Sequence, residues 1–109
     1  MANTNDAIGY GVIGAGLVGP THAAAAAQAP GGQLVAVCDL VAERAEAVAE
    51  QHGAIPLTEV DALLARKDIQ IVSICLPTRL HLDVAERAIA AGKHIVVEKP
   101  LELSLERAA

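Results

Sequence analysis

Along this 109-residue chain, short apolar runs of strand length alternate from end to end with longer segments of helical character. "IGYGVIG" (8–14) reads as a strand, followed by a helix from about Leu17 to Ala29. "PGG" (30–32) breaks that helix, and "QLVAVCD" (33–39) is the next strand. "AERAEAVAEQH" (42–52) reads as a helix stopped by Gly53, and "AIP" (54–56) as a short strand. Thr58 is placed to cap a helix over "EVDALLA", with Asp61 three positions on completing a pattern like a capping box. "IQIVSIC" (69–75) is almost continuously apolar, as expected of a strand covered on both faces. After the turn "LPT", a helix is expected from about Arg79 to Ala91, with Leu80, Val84, Ala88 and Ala85, Ile89 on one apolar stripe. Gly92 ends it, and "HIVVE" (94–98) is a fifth strand. Ser104 can cap one more helix, of which "LERAA" is the start. About five strands alternating with helices predict an α/β fold, a doubly wound parallel sheet. Residues 1–6 are expected to be a disordered leader before one domain over 7–109.

Composition narrows the class. Hydrophobic residues make up 53% of the chain, yet Tyr10 is its one aromatic residue, so Ala, Val, Ile and Leu must build the core. Small side chains of this kind let helices lie close on a parallel sheet. A net charge of −5 without a basic cluster argues against nucleic acid. A small anion held by backbone amides stays compatible with that charge. Cys38 and Cys75 are too few for a disulfide framework or a metal site, and no metal is expected. "MANTNDA" lacks the features of a signal peptide, and no apolar run approaches the ~18 residues that span a bilayer. The expectation is a soluble cytoplasmic domain with no membrane partner.

The candidate chemistry begins at Gly14-x-Gly16-x-x-Gly19, where the first strand becomes the first helix. Gly14 allows the tight turn, Gly16 lets a pyrophosphate approach the backbone, and Gly19 lets the helix lie on the sheet. With Ala15, Leu17 and Val18 this segment presents first-turn N–H groups to phosphate oxygens, helped by the helix dipole. Pro20 has no N–H, but a donor there has no intrahelical partner anyway. Asp39 ends the second strand twenty residues after Gly19, where a carboxylate reads the adenosine ribose diol. A carboxylate there favours NAD over NADP; a plain surface aspartate is the blander reading. Arg44 keeps NADP open, or simply pairs with Glu43 or solvent. This arrangement is the Rossmann pattern.

Strand four ends in "CLPTRLH" and strand five in "EKP", both on the rim where a nicotinamide would lie. Together, Gly14-Ala-Gly16-Leu-Val-Gly19-Pro-Thr-His22, Cys38-Asp39, Leu76-Pro77-Thr78-x-x-His81 and Glu98-Lys99-Pro100 resemble the N-terminal domain of the Gfo/Idh/MocA oxidoreductases. The resemblance implies NAD(P)-dependent hydride transfer to or from a secondary hydroxyl of a sugar, sugar nucleotide or cyclitol. It implies that Leu76, Pro77 and Thr78 pack along the cofactor. It also implies that Glu98 contacts the nicotinamide ribose, and that His81 steadies the turn beside it. Lys99 is implied to be catalytic, near the nicotinamide and the substrate hydroxyl; a lysine after a strand is otherwise an ordinary solvated charge. His22 is expected to pack or cap beneath the glycine turn, and His52 and His94 to face solvent.

The resembled enzymes continue into a second domain that supplies most of the substrate pocket and an Asp-x-x-x-His pair, and they are expected to be homo-oligomers. This chain is therefore expected to be a cofactor-binding portion, inactive alone. The alternative is a freestanding NAD-binding or sensing module without chemistry.

Overall fold

A computed structural model describes residues 7–16 and 18–97. Its elements are β1 (Ile8–Ile13), α1 (Gly19–Gln28), β2 (Gly32–Cys38), α2 (Ala42–His52), β3 (Ile55–Leu57), α3 (Val60–Leu64), β4 (Ile71–Ile74), α4 (Thr78–Ala90) and β5 (His94–Val97). The sheet has the order β3-β2-β1-β4-β5, and all four pairings are parallel. This is the expected doubly wound α/β architecture. Strand order reverses between β1 and β4, so the carboxyl ends of these two strands flank the crevice in which such sheets bind ligands. No helix among the described residues is long and apolar enough to cross a membrane.

Two cores sandwich the sheet. Val12, Leu34 and Val37 meet Ala23, Ala26, Val48 and Ala49 of α1 and α2 on one face. Ile13, Cys38, Val72 and Ile74 meet Leu63, Leu64, Val84 and Ala88 of α3 and α4 on the other. The alanines of α1 explain its close seat on β1 and β2, because no long side chain holds the helix away. Strand alternation would put Val35 and Ala36 on opposite faces, yet both lie in the α3/α4 core. The pairing of β1 with β2 shifts register between Tyr10 and Gly11, which face Leu34 and Ala36, and this irregularity moves Val35 across.

Three local expectations need correction. Thr58 caps nothing: α3 starts at Val60 after Glu59, and no side chain caps it. Asp61 instead pairs with Arg87 of α4 at 2.5 Å, and Arg87 also reaches Asp83 at 3.3 Å. The buried stripe of α4 is His81, Val84 and Ala88, whereas Leu80 is 40% and Ile89 60% exposed. His52 is half-buried rather than solvent-facing, although His94 is exposed as expected. At the amino end of the sheet, Lys93 Nζ donates to the carbonyls of Arg66 (2.6 Å) and Ile69 (2.5 Å), tying the entry of β5 to the entry of β4.

Candidate functional site

The turn after β1 is fixed by main-chain chemistry. Gly14 has φ +99°, and a Cβ there would lie 2.6 Å from the Cys75 carbonyl oxygen. Any other residue would be strained in that conformation and would collide with the exit of β4. A Cβ on Gly19 would fall on the Gly14 carbonyl oxygen, so α1 begins as close to β1 as backbones permit. Gly16 is different. It is exposed, and the nearest atom to a Cβ built on it is an Arg44 guanidinium nitrogen 4.0 Å away. No packing partner needs the missing side chain, so the bare backbone serves an incoming group. Val18 precedes α1 without a side-chain cap, and no acidic residue occupies the first turn of this ten-residue helix. The N–H groups there face the turn with their dipole unopposed, a setting that favours an anion.

Asp39 follows β2. Its Oδ2 accepts from the Ala15 N–H and its Oδ1 from the Val41 N–H, each at 2.8 Å. The Gly14 N–H donates to the Cys38 carbonyl at 2.7 Å, and the Cys75 N–H to the Ile13 carbonyl at 2.8 Å. The ends of β1, β2 and β4 are thereby tied together. Between them lies a cleft of about 560 Å³, floored by Gly14, Gly16 and Val18. Asp39, Leu40, Val41 and Arg44 wall it on one side, and Cys75, Leu76, Pro77 and Leu80 on the other. That volume is in the range of cofactor and ligand sites.

Of the expected site residues, this crevice gathers Gly14, Gly16, Val18, Asp39, Leu76 and Pro77. Ala15 takes part through its N–H, its side chain being buried. Gly19 packs beneath as the first residue of α1, and Thr78 is the first residue of α4. His81 does not line the cleft: it is 4% exposed, and neither ring nitrogen has a hydrogen-bond partner among the described residues. Its position on the buried stripe of α4 turns it toward the sheet. Leu17, Glu98 and Lys99 lie outside the described residues. The cleft is also lined by Leu40 and Val41, which the sequence does not single out, and by Leu80, which its helical period places in the core. Leu40 is 85% exposed. Two apolar residues after a strand-ending aspartate, where turns are usually polar, were the available signal. His22 is half-buried on α1, in keeping with packing.

Cys38 is 1% exposed. Burial, reinforced by the negative charges of Asp39 and Glu59, pushes its thiol up from 9.0 to about 11. It is a neutral core residue at physiological pH and no nucleophile. Between about pH 9 and 11 the folded state holds a proton that the unfolded chain has lost, so stability falls as pH rises through that window. Denaturant unfolding of wild type is expected to show a decline of about 2–3 kcal/mol there beyond that of Cys38→Ala. Equal slopes would show that Cys38 ionises freely in the fold.

Comparison with known proteins agrees with this geometry. Residues 8–109 match the GFO_IDH_MocA family, described as an oxidoreductase family with an NAD-binding Rossmann fold. The inositol 2-dehydrogenase of Rhizobium meliloti is 44% identical over 98 residues, covering 90% of this chain and 29% of that enzyme. The solved structure of GenD2 from gentamicin A biosynthesis, in complex with NAD, superposes with a TM-score of 0.84 at 31% identity, covering 92% of this chain and 29% of that one. KijD10, a 3-ketoreductase from Actinomadura kijaniata solved with TDP-benzene and NADP, superposes at 0.80 with 36% identity, covering 86% of this chain and 30% of that one. The chain thus spans about 29% of the length of the inositol 2-dehydrogenase, one of several curated proteins it matches over a similar share. With a parallel sheet that reverses at β1, a glycine turn open only at Gly16 and a match over nearly its whole length, the chain belongs to the Gfo/Idh/MocA oxidoreductases as their NAD-binding Rossmann domain.

Proposed function

We propose that this domain holds the dinucleotide of an NAD(P)-dependent oxidoreductase acting on a secondary hydroxyl of a sugar, sugar nucleotide or cyclitol. The observation that carries the proposal is Gly16: an exposed backbone at the mouth of the cleft, kept bare with no internal reason, beside the uncapped start of α1. A pyrophosphate fits that place. The adenosine would lie between Leu40 and Val41 on one wall and Pro77 and Leu80 on the other. Asp39 retains lone pairs for the ribose diol after accepting its two amides, which favours NAD. Arg44, on the same wall, is the group that would meet a 2′-phosphate, so NADP is expected to bind more weakly but measurably.

The nicotinamide ring, when bound, would exchange hydride with the substrate carbon. Leu76, Pro77 and Thr78 would pack along the cofactor near its ribose and pyrophosphate, and Glu98 would contact the nicotinamide ribose. Lys99 would shuttle the hydroxyl proton as hydride leaves or joins the same carbon. Inositol 2-dehydrogenase acts on a cyclitol hydroxyl and KijD10 is a 3-ketoreductase, both in keeping with hydride exchange at a secondary hydroxyl.

The test is a chimera in which this chain replaces its 98-residue counterpart in the Rhizobium meliloti enzyme. NAD-dependent oxidation of inositol by the chimera is the expected result. A folded chimera that binds NADH but gives no turnover would support a binding or sensing module instead.

A further inference from the structure

The carboxylate of Asp39 is committed to main-chain partners before any ligand is considered. Each oxygen takes one backbone N–H at 2.8 Å: Ala15, 24 residues earlier in the glycine turn, and Val41, two residues later. Asp39 is itself anchored, its N–H donating to the Leu57 carbonyl of β3 at 3.0 Å. The residue before it, Cys38, accepts the Gly14 N–H at 2.7 Å. Consecutive residues at the end of β2 therefore hold consecutive N–H groups of the turn. Gly14 sits at φ +99° and has no Cβ to restrict its backbone, so the held N–H groups on either side of it fix the orientation of the turn. Ala15 is buried, so without the carboxylate its N–H would lose its partner away from water, and the turn would reorient to recover one. Asparagine could not substitute: its amide nitrogen is a donor, and would face one of two N–H donors.

We propose that Asp39 is a positioning residue for the phosphate-binding turn as well as a reader of the ribose. Through Ala15 it fixes how the Gly14–Gly16 backbone is presented, so phosphate affinity depends on Asp39 even in a ligand that has no ribose diol. This rests on the dinucleotide reading of the cleft and adds a second role to a residue whose expected contact is with the ribose alone.

The test uses two probes, ADP and 2′,3′-dideoxyadenosine 5′-diphosphate, titrated calorimetrically into wild type and Asp39→Asn. Asp39→Asn is expected to weaken the dideoxy ligand by about 5–30-fold, and ADP by at least as much. If wild type binds both ligands and the variant binds the dideoxy ligand as tightly as wild type, the positioning role is overturned and the dinucleotide reading stands. If wild type binds neither, the reading fails and the inference with it. A spectroscopic signature tests the premise independently of whether the variant folds. In ligand-free wild type, a scalar coupling across the hydrogen bond from the Ala15 amide nitrogen to the Asp39 carboxyl carbon is expected, with the Ala15 amide proton at low field. The signal reports the bond through which Asp39 would act on the turn, so its absence overturns the proposal.

Discussion

Gly14→Ala is expected to cost about 2–5 kcal/mol of stability and to abolish NADH binding. The φ of +99° is strained for any L side chain, and the new methyl would lie 2.6 Å from the backbone oxygen of Cys75. That oxygen belongs to the main chain leaving β4, which cannot swing aside as a side-chain tip could. Gly16→Ala, two residues away in the same motif, is expected to behave in the opposite way. Its methyl meets nothing nearer than the Arg44 guanidinium at 4.0 Å, so stability should change by no more than about 0.5 kcal/mol. The methyl would, however, stand where the proposed pyrophosphate would approach the backbone. Crowding of that kind should weaken NADH by about 1–3 kcal/mol. Denaturant unfolding beside NADH titration for both variants separates the two demands. If Gly16→Ala binds NADH as wild type does, the phosphate does not cross that backbone.

Lys99→Ala, made in the chimera described above, is expected to lower turnover by about 10²–10⁴, the usual worth of a positioned proton-transfer group. NADH affinity should stay nearly unchanged if, as proposed, the glycine turn and Asp39 hold the other end of the dinucleotide. Lys99→Arg should not restore the rate. A guanidinium remains protonated throughout the accessible pH range and is a broad planar fork, where the reaction needs a compact group that can exchange a proton. Single-turnover hydride transfer measured beside NADH affinity is the informative comparison. Affinity that falls in proportion to rate would make Lys99 a binding residue, and "EKP" a structural turn.

Much of this arrangement was legible because its physics is local. Glycine spacing, an aspartate at a strand end and apolar runs of strand length each constrain their own neighbourhood, and they place Gly14, Gly16, Gly19 and Asp39 where the structure has them. What was not legible depended on contacts between elements. The period of α4 showed that the helix has a buried stripe, but His81 rather than Leu80 occupies it, because hydropathy assigns a polar ring to the outside and leucine to the core. Leu80 faces the cleft instead. The register shift opposite Val35 leaves no trace in an unbroken apolar strand, since either face of β2 is buried. Thr58 and Asp61 have the spacing of a cap, yet Arg87 on another helix claims Asp61. The bond from Asp39 to Val41 is a local turn, but its bond to Ala15 likewise arises only when β1 and β2 are side by side.

The most direct measurement is a titration of this chain with NADH, following backbone amide resonances. The expected result is saturable binding, with the largest shifts at Gly14, Ala15, Gly16 and Val18, and at Asp39–Val41 across the cleft. Shifts centred instead on Gln33, Arg66, Lys67, Asp68 and Gln70, which line a separate cavity at the amino ends of the strands, would contradict the assignment of the dinucleotide to the carboxyl-end cleft. So would no shifts at saturating NADH.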